Sequence, residues 1–408
     1  MNYRFATVSK YPPYISGHSH QAYWLGRELA DLLGRPQHQL TYCGEVPPFY
    51  RDDRIVVHEV RSSRTCNPKV PDGNLLKALS ARMAGLAHSS GVNVLLALYA
   101  DPHADVALRA ARAARLLGHR TTVVVSVEGS DITSSLARHT ADGEAGVLLG
   151  DISGADVIMA VSKRAADLFV AAAERVLHPA AVAQLADRVV LRYPGLPPES
   201  FRRPAPAAVA RWRASHGIAA DAHLISTFVR LVPEKGVGRI LDIAEQARDR
   251  QDLVFAIAGS GPLGPALATE VERRGLRSVR LLGDLSQPQA HLLRAASTAA
   301  LLPSQRAADW EETFGIAAIE YQALGVPVLA SDSPGFTESC ALDVFRCSDA
   351  ADAEHWLQRL DLLLRDRHRL GEAATRYAAG FTSRRSAETL LDAVRTASTV
   401  RVPVAAQH

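Results

Sequence analysis

The chain contains 408 residues, of which 47% are hydrophobic and 22% are charged, and its formal net charge is +3. A chain of this length is too long for one hydrophobic core, so we expect two or three domains. The small net charge favours neither a nucleic acid nor an anionic membrane as a partner.

The cysteines and the start of the chain point to a reducing compartment. Cys43, Cys66, Cys340 and Cys347 are scattered and form no Cys-x-x-Cys pair, which is typical of buried thiols and not of disulfides or a zinc site. The sequence opens on a predicted strand, without a signal peptide, and has no apolar stretch of about 18 residues. We therefore expect a cytoplasmic protein without a metal site.

In the first half, helical periods alternate with short runs rich in β-branched residues, the pattern of doubly wound α/β layers. The predicted strands are Tyr3–Val8, Gln39–Cys43, Arg54–His58, Val92–Tyr99, Thr121–Val127, Val157–Val161 and Val189–Leu191. One of the intervening helices is Gln21–Leu33, whose apolar face contains Ala22, Leu25, Leu29 and Leu32.

A proline-rich stretch over residues 193–206 has the composition of a linker. A second α/β set follows, with predicted strands at Leu224–Val229, Leu253–Ala258, Val279–Leu282, Ala299–Leu302 and Val328–Ala330. We therefore predict a Rossmann-like N-terminal domain over residues 1–200 and a Rossmann-like C-terminal domain over residues 201–382. Residues 383–408 form a predicted amphipathic helix and tail that pack back on the first domain.

Four strand-to-helix junctions of the second half should share one edge of a parallel sheet, where α/β proteins bind ligands. The first junction carries Arg230, a planar fork for paired phosphate oxygens, and Lys235, a compact cation before a predicted helix. Taken alone, these two residues are equally compatible with a solvated surface pair.

The second and third junctions follow the next two strands. Gly259, Gly261 and Gly264 form a Gly-x-Gly-x-x-Gly pattern, and Asp284 follows at the distance of a dinucleotide fingerprint. The pattern lies on the second strand of its domain instead of the first, so a tight turn lining a nucleotide site is the better interpretation. The third junction, around Leu285, offers backbone groups to a base or is a simple turn.

The fourth junction carries two carboxylates, Glu312 and Glu320, around a predicted helix start at Gly315. Unpaired N–H groups at a helix start suit anionic oxygens, and carboxylates accept from sugar hydroxyls. Cations, glycines and carboxylates on one rim predict a site for an anionic sugar derivative. An acidic loop before an ordinary helix is the alternative for this junction alone.

The order and spacing of these motifs resemble glycosyltransferase family 4. The resemblance rests on Arg230-Leu-Val-Pro-Glu-Lys235-Gly, Ala258-Gly-Ser-Gly-Pro, Pro303-Ser304, Glu312-x7-Glu320 with Phe314-Gly315, and Ala323-Leu-Gly-Val-Pro-Val. It is closest over residues 220–340 and weaker over the rest of the chain. The resemblance implies the GT-B fold, in which two Rossmann-like, doubly wound α/β domains face each other across a cleft.

The resemblance also implies a retaining, metal-independent transfer of a hexosyl group from a nucleotide diphosphate sugar, without a cofactor. Arg230 and Lys235 would hold the diphosphate and stabilise its departing charge. Glu312, with the backbone of Phe314 and Gly315, would bind the transferred sugar, and Glu320 would bind the ribose. The other implied donor contacts are Gly17, Gly259, Gly261, Leu285, Thr313 and Ile316.

The first domain is expected to bind the acceptor. Many family members have a histidine after the fifth strand, where this chain has Glu128, which would contact a cationic acceptor, position a hydroxyl or cap a helix. The other acceptor candidates are His18, Asp101 and His103. A basic stripe at Arg109, Arg112 and Arg115 lacks apolar bulk, so we expect no membrane association and a small soluble polar acceptor, as in secondary-metabolite biosynthesis.

Four other kinds of protein are compatible with these motifs. A sugar-nucleotide epimerase would need no acceptor, and a phosphorylase would need inorganic phosphate. A non-catalytic sugar-nucleotide binding protein would bind the donor without turnover, and a dehydrogenase would bind NAD. The sequence does not specify the nucleotide (UDP, GDP, ADP or dTDP), the sugar or the acceptor. It does not specify the oligomeric state either.

Overall fold

The structure is a computed structural model that describes residues 2–14, 17–61, 71–129, 131–132, 134–135, 145–308, 310–348 and 351–400. The chain divides into two compact units. The first unit contains the described residues up to Gly195 and those from Thr382 onward, and the second unit runs from Leu196 to Phe381. Cys66 and the predicted tail over residues 401–408 lie outside the described residues.

A seven-stranded parallel sheet forms the centre of the first unit. Its strands are β1 (Phe5–Val8), β2 (Gln37–Thr41), β3 (Ile55–Glu59), β4 (Val94–Leu98), β5 (Thr122–Val127), β6 (Val157–Ala160) and β7 (Val189–Leu191). Their order is β3-β2-β1-β4-β5-β6-β7, and every neighbouring pair is parallel.

Helices connect these strands and cover both faces of the sheet. They are α1 (Gly17–Leu33), α2 (Gly73–Ser89), α3 (Ala100–Leu116), α4 (Ala145–Ile152), α5 (Lys163–Glu174) and α6 (Pro179–Ala186). The central strand β4 shows how the sheet divides the core, because alternate side chains of a strand point to opposite faces. Leu95 and Ala97 belong to one apolar cluster. Leu96 and Leu98 belong to the other.

The second unit is built on a six-stranded parallel sheet. Its strands are β8 (His223–Phe228), β9 (Leu253–Ala258), β10 (Val279–Gly283), β11 (Ala299–Leu302), β12 (Val328–Ser331) and β13 (Arg346–Cys347). Their order is β10-β9-β8-β11-β12-β13, again with parallel neighbours throughout.

Apolar clusters cover the two faces of this second sheet. Its helices are α7 (Pro206–Ser215), α8 (Val237–Gln246), α9 (Gly264–Arg274), α10 (Gln287–Ala296), α11 (Ile316–Gln322), α12 (Ala353–Arg365) and α13 (Arg367–Ala378). Phe255 and Ile257 of β9 pack on the α8 side. Val254 and Ala256 pack on the α7 and α10 side.

The last helix, α14 (Ser383–Val400), belongs to the first unit and packs on α1. Leu390, Leu391 and Val394 enter the same apolar cluster as Leu96 and Leu98. All three are almost fully buried, and burying one such side chain contributes about 1.5–3 kcal/mol. The helix is therefore part of the core of the first unit.

The predicted fold class, two doubly wound α/β domains, is confirmed. All predicted strands are present. The two-residue strand β13 was missed because so short a segment has no readable alternation. Helix α1 begins at Gly17, before the predicted start at Gln21. The prediction missed this first turn because the turn lacks apolar periodicity. None of the helices within the described residues is both long and apolar enough to cross a membrane.

Candidate active site

The predicted charged motifs lie on two adjacent strands of the second sheet. β8 pairs with β11, but the chain continues from β8 to β9 on one side and from β11 to β12 on the other. At such a topological switch point the loops diverge and leave room for a ligand. The loop after β8 carries Arg230 and Lys235, and the loop after β11 carries Glu312. Because all strands are parallel, the four predicted junctions share one edge of the sheet, as expected.

A tight turn positions Lys235. Pro233–Lys235 form a short 3-10 helix, and Gly236 follows with a φ of 62°. A Cβ on Gly236 would overlap the carbonyl oxygen of Pro303 in the loop after β11. The Gln305 N–H donates to the carbonyl oxygen of Glu234 at 2.8 Å. The two loops thus meet backbone to backbone, and glycine satisfies both the positive φ and the close approach.

Lys235 and Glu312 form an ion pair at this meeting point. The ammonium nitrogen lies 2.6 Å from the carboxylate oxygen Oε2, and the two side chains are 16% and 13% exposed. The Ser304 hydroxyl lies 3.4 Å from the same oxygen. The Trp310 ring centroid is 4.7 Å from Lys235 Nζ, within the range of a cation–π contact. Removing one charge would leave the other largely desolvated without its partner, which is costly.

Arg230 is less enclosed than Lys235. Its side chain is 55% exposed, and its guanidinium lies 3.7 Å from the Glu234 carboxylate. An exposed pair of this kind contributes only about 0–1 kcal/mol. Little is therefore lost if the guanidinium turns its planar fork to a pair of phosphate oxygens.

A cavity of about 390 Å³ lies at the ends of β9 and β10. Gly259, Gly261 and Asp284 line it together with apolar side chains such as Leu231. Its size and mixed lining are typical of a small-molecule pocket. Two predicted donor contacts, Gly259 and Gly261, are therefore at this cavity. Leu285 does not line it and instead packs against the apolar cluster between α7 and α10.

The segment after Glu312 is largely enclosed. Thr313 and Phe314 are buried, and Phe314 packs with Leu196 and Ile319. Gly315 has a φ of 72° and precedes α11, whose first residue, Ile316, is half-buried. The predicted helix is thus present, although it has only 7 residues.

Glu320, on α11, also has a partner that the sequence did not reveal. Arg294 Nη2 lies 2.7 Å from Glu320 Oε2, and the two side chains are 8% and 27% exposed. The Arg294 guanidinium lies 5.2 Å from the ring centroid of Phe228, the last residue of β8. Glu320 is therefore fixed relative to the strand whose loop carries Arg230 and Lys235.

The acceptor candidates of the first unit surround its own switch point, between β1 and β4. His18 and the predicted donor contact Gly17 begin α1, but their side-chain environment is outside the described part. Asp101 lies at the start of α3 and is half-buried. Tyr99 has a φ of 101°, a strained value for a tyrosine, and the Lys10 ammonium lies 4.7 Å from its ring centroid.

His103 and Glu128 occupy more enclosed positions than expected. His103 is fully buried, with Nε2 3.0 Å from the Tyr42 hydroxyl, so in this arrangement it presents no surface to an acceptor. The Glu128 carboxylate lies 2.9 Å from buried Arg192, and Glu128 has only 6% of its side chain exposed. Its carboxylate also accepts from the Ser126 hydroxyl at 2.6 Å. Both residues thus make structural contacts inside the first unit.

Two residues near the candidate site were missed by sequence reasoning, Trp310 and Arg294. Trp310 stands two positions before Glu312, and its aromatic character in an otherwise polar loop was a usable signal. Arg294 lies on an ordinary amphipathic helix, 26 positions from Glu320, and nothing local distinguishes it. Within the described ranges, no three His, Cys, Asp or Glu side chains cluster as a metal site would require.

Comparison with known sequences finds similarity that includes most of the second unit. The profile of the family described as glycosyl transferases group 1 matches residues 209–378. The D-inositol 3-phosphate glycosyltransferase of Frankia alni is 34% identical over 212 residues, which cover 48% of this chain and 50% of that protein. The corresponding protein of Thermobispora bispora is 32% identical over 228 residues, covering 51% of each chain. The chain thus spans about half the length of the curated relatives it matches.

Comparison with solved structures covers almost the whole chain. HepE of Anabaena in complex with UDP and glucose has a TM-score of 0.74 and 17% identity, over 97% of this chain and 100% of that one. The same protein in complex with UDP-glucose has a TM-score of 0.72 and 17% identity, over 97% of this chain and 99% of that one. At this identity the likeness shows the fold. Residues 209–378 therefore match the glycosyl transferases group 1 family, and the chain has the GT-B fold, as its resemblance to glycosyltransferase family 4 implies.

Proposed function

We propose that the protein is a retaining, metal-independent glycosyltransferase that moves a sugar from a nucleotide diphosphate sugar to a small polar acceptor. The observation that carries this proposal is the enclosed Lys235–Glu312 pair at the switch point of the second sheet. A cation for a diphosphate and a carboxylate for sugar hydroxyls are adjacent there, and a cavity of about 390 Å³ lies on the same edge of the sheet. The solved complexes of HepE with UDP and UDP-glucose support the same donor class.

The donor would extend along the edge of the second sheet. The base would enter the cavity at β9 and β10, and the ribose would lie at Glu320. The diphosphate would lie at Arg230 and Lys235, and the sugar at Glu312. UDP is the first base to test, because HepE was solved with it.

Donor binding would exchange one ion pair for two better-matched contacts. A diphosphate replaces the Glu312 carboxylate at Lys235, and the sugar hydroxyls donate to Glu312. Neither enclosed charge is left without a partner. Both charges are already largely removed from water in the free protein, so this desolvation cost does not have to be met again when the ligand binds. Fixed cations in an enclosed site stabilise the charge that develops on the leaving diphosphate, which is commonly the largest catalytic contribution.

In the reaction, the bond between the anomeric carbon and the diphosphate oxygen breaks as the acceptor oxygen forms its bond on the same face. A phosphate oxygen of the leaving diphosphate takes the acceptor's proton. Lys235 and Arg230 would carry the charge of the departing group, and Glu312 would orient the sugar. The anomeric configuration is retained because attack and departure share one face.

The acceptor is assigned to the first unit, near the end of β4 and the start of α1. Several curated relatives are named D-inositol 3-phosphate glycosyltransferase, which supports a small polar acceptor. Lys10 and Asp101 offer one charge of each sign in this region. An acceptor carrying several hydroxyls, with or without a phosphate, suits such a mixed set.

The experiment that tests this proposal is acceptor-dependent release of the nucleoside diphosphate. The protein is incubated with UDP-glucose and a panel containing myo-inositol, its monophosphates and simple sugars, and the product anomer is determined by NMR. We expect UDP release that requires an acceptor and an α-linked product. Release without any acceptor would indicate an epimerase or a hydrolase, dependence on inorganic phosphate would indicate a phosphorylase, and binding without release would indicate a non-catalytic protein. A β-linked product would contradict retention.

A further inference from the structure

We propose that Arg294 is a positioning residue that makes the second unit select ribonucleotide over deoxyribonucleotide donors. It would do so by fixing Glu320 as the acceptor of hydrogen bonds from both ribose hydroxyls. The inference rests on the proposed function, since it requires a nucleotide ribose at Glu320. It adds a residue and a substrate restriction that the donor motif alone does not contain.

Arg294 is held from two sides within the second unit. Its side chain is 8% exposed, and its Nη2 donates to Glu320 Oε2 at 2.7 Å. Its guanidinium lies 5.2 Å from the Phe228 ring centroid, and its Nε is buried without a hydrogen-bond partner. An arginine that is enclosed to this degree has little rotational freedom, so the carboxylate it contacts is held in one orientation.

Glu320 is the exposed end of this chain of contacts. Its side chain is 27% exposed, more than three times the fraction of Arg294. Arg294 contacts the oxygen Oε2, and the structure records no contact from Arg294 to Oε1. An ionised carboxylate accepts at about four lone-pair positions, so one arginine contact leaves room for two hydroxyl donors. Phe228 ends β8 and therefore ties this carboxylate to the strand that leads to Arg230.

The expected consequence is discrimination by the 2′-hydroxyl. A site built to accept a hydrogen bond from a hydroxyl rejects the analogue that lacks it, because its own polar group is then left without the partner. A fixed carboxylate discriminates strongly, whereas a mobile one hydrates or shifts and discriminates weakly. The effect of Arg294 should therefore be measured as the ratio of the affinities for the ribonucleotide and the 2′-deoxynucleotide, and not as one affinity alone.

The test compares matched nucleotides on matched variants. Dissociation constants of UDP, GDP and ADP and of their 2′-deoxy counterparts are measured by calorimetry on the full chain. The variants are Arg294→Met, Arg294→Lys, which keeps the charge but loses the planar fork, and Glu320→Gln. The control is Arg274→Met on α9, which removes an arginine paired with Asp242, Glu245 and Glu270 in the same unit.

For the preferred base, we expect wild type to bind the ribonucleotide about tenfold or more tightly than the 2′-deoxynucleotide, the usual effect of a hydrogen bond to a charged group. Arg294→Met and Glu320→Gln should bring this ratio close to one. The deoxynucleotide should weaken less than the ribonucleotide, because it loses only the contact of its 3′-hydroxyl. Arg294→Lys should give an intermediate ratio, and Arg274→Met should keep the wild-type ratio.

Each other outcome overturns the inference in a recognisable way. If Arg294→Met weakens both nucleotides equally, the arginine only supports the fold. If wild type binds both equally, Glu320 does not read the 2′-hydroxyl, although the donor site stands. If wild type binds none of the six nucleotides, the proposed function fails as well. Should Arg294→Met not fold, Arg294→Lys and Glu320→Gln decide the question.

Discussion

At Lys235, one ammonium group contacts a carboxylate at 2.6 Å and an indole ring at 4.7 Å. Each neighbour holds the ammonium in place, but they act differently when an anionic ligand arrives. Glu312 competes with the ligand for the positive charge, whereas Trp310 is neutral and keeps its contact. We therefore expect donor binding to displace Glu312 from Lys235 and to leave the contact with Trp310 unchanged.

Replacing Lys235 should slow sugar transfer. For Lys235→Gln we expect the rate of sugar transfer to fall roughly ten- to a hundredfold, which corresponds to a lost charge-assisted bond of about 1.5–3 kcal/mol. Steady-state kinetics with the best acceptor measures this change, and the exposed Lys77→Gln on α2 serves as the control. An unchanged rate in Lys235→Gln would remove this residue from the mechanism.

Trp310 should report donor binding through its fluorescence. The ammonium at its face changes partner when a diphosphate displaces Glu312, so the emission intensity should change on titration with UDP or another nucleoside diphosphate. Trp310→Phe should abolish this signal while retaining binding. Trp212 and Trp356 are buried elsewhere in the same unit, and Trp212→Phe should keep the signal. A signal that survives Trp310→Phe would contradict the predicted exchange.

At this scale the sequence predicted the residues of contiguous motifs but not their partners. Lys235 and Glu312 could be identified because each stands in a recognisable local pattern. Their mutual contact at 2.6 Å, across 77 positions, depends on the pairing of β8 with β11 and was not readable. The Arg294 and Arg192 contacts were missed for the same reason, since a long-range ion pair leaves no local signature.

Two loops form the candidate site, and their packing depends on glycine at one meeting point. Gly236 and Gly275 both have positive φ values, of 62° and 63°. A Cβ at Gly236 would overlap the Pro303 carbonyl, whereas nothing lies within 4 Å of a Cβ at Gly275. Substitutions at Gly236 and Gly275 therefore distinguish the cost of backbone strain, which both share, from the cost of disturbing the loop contact, which only Gly236 makes.

Gly275→Ala should destabilise the protein by about 1–2 kcal/mol, the usual cost of a left-handed non-glycine residue. Gly236→Ala should cost more than Gly275→Ala and should also weaken nucleotide binding, because the loops must separate. Denaturant unfolding and calorimetry on both variants measure these effects. Equal destabilisation with unchanged binding in both would show that the loop contact is dispensable.

The edge strand β3 and its neighbour β2 carry a pH-sensitive contact. Burial, together with the charges of Arg82 and His38, lowers the pKa of His58 to about 4, below the ordinary value of 6.5. Its Nδ1 lies 2.8 Å from Arg82 Nη2, and its Nε2 lies 3.0 Å from His38 Nδ1. The folded state therefore favours the neutral ring, and its stabilisation is complete above pH 6.5 and is lost as the pH falls towards 4.

His58→Gln should accordingly show a smaller loss of stability than wild type between pH 7 and pH 5. Melting temperatures at both pH values give the difference, and His119→Gln, at a half-buried position in the same unit, should behave like wild type. An identical pH dependence in His58→Gln and wild type would contradict the neutral assignment.

Element boundaries show where sequence patterns are sufficient. Strands buried on both faces, such as β4 and β9, were predicted because they are continuous apolar runs between turn residues. The start of α1 and the two-residue strand β13 were missed because polar first turns and very short strands have no periodicity. His103 was predicted as an acceptor candidate, and its burial against Tyr42 depends on tertiary packing that no local pattern reveals.

On the scale of the whole molecule, the C-terminal helix links the end of the chain to the first unit. Leu390 of α14 and Leu363 of α12 are both fully buried leucines, but they belong to different cores. Leu390→Ala and Leu363→Ala should each destabilise by about 2–5 kcal/mol. Hydrogen exchange should locate the loss in β4 for the first variant and in β11 for the second. Loss of protection in β11 on Leu390→Ala would contradict the assignment of α14 to the first core.

We propose that the second unit binds a nucleotide diphosphate sugar through Lys235 and Glu312. The most direct test is thermal unfolding with UDP, GDP, ADP and dTDP, each in large excess. A ligand at a hundred times its dissociation constant should stabilise the native state by about 2.7 kcal/mol. We predict a clear rise of the melting temperature with at least one of the four, and its loss in Lys235→Gln. No shift with any of the four, or a shift that persists in Lys235→Gln, would contradict the account.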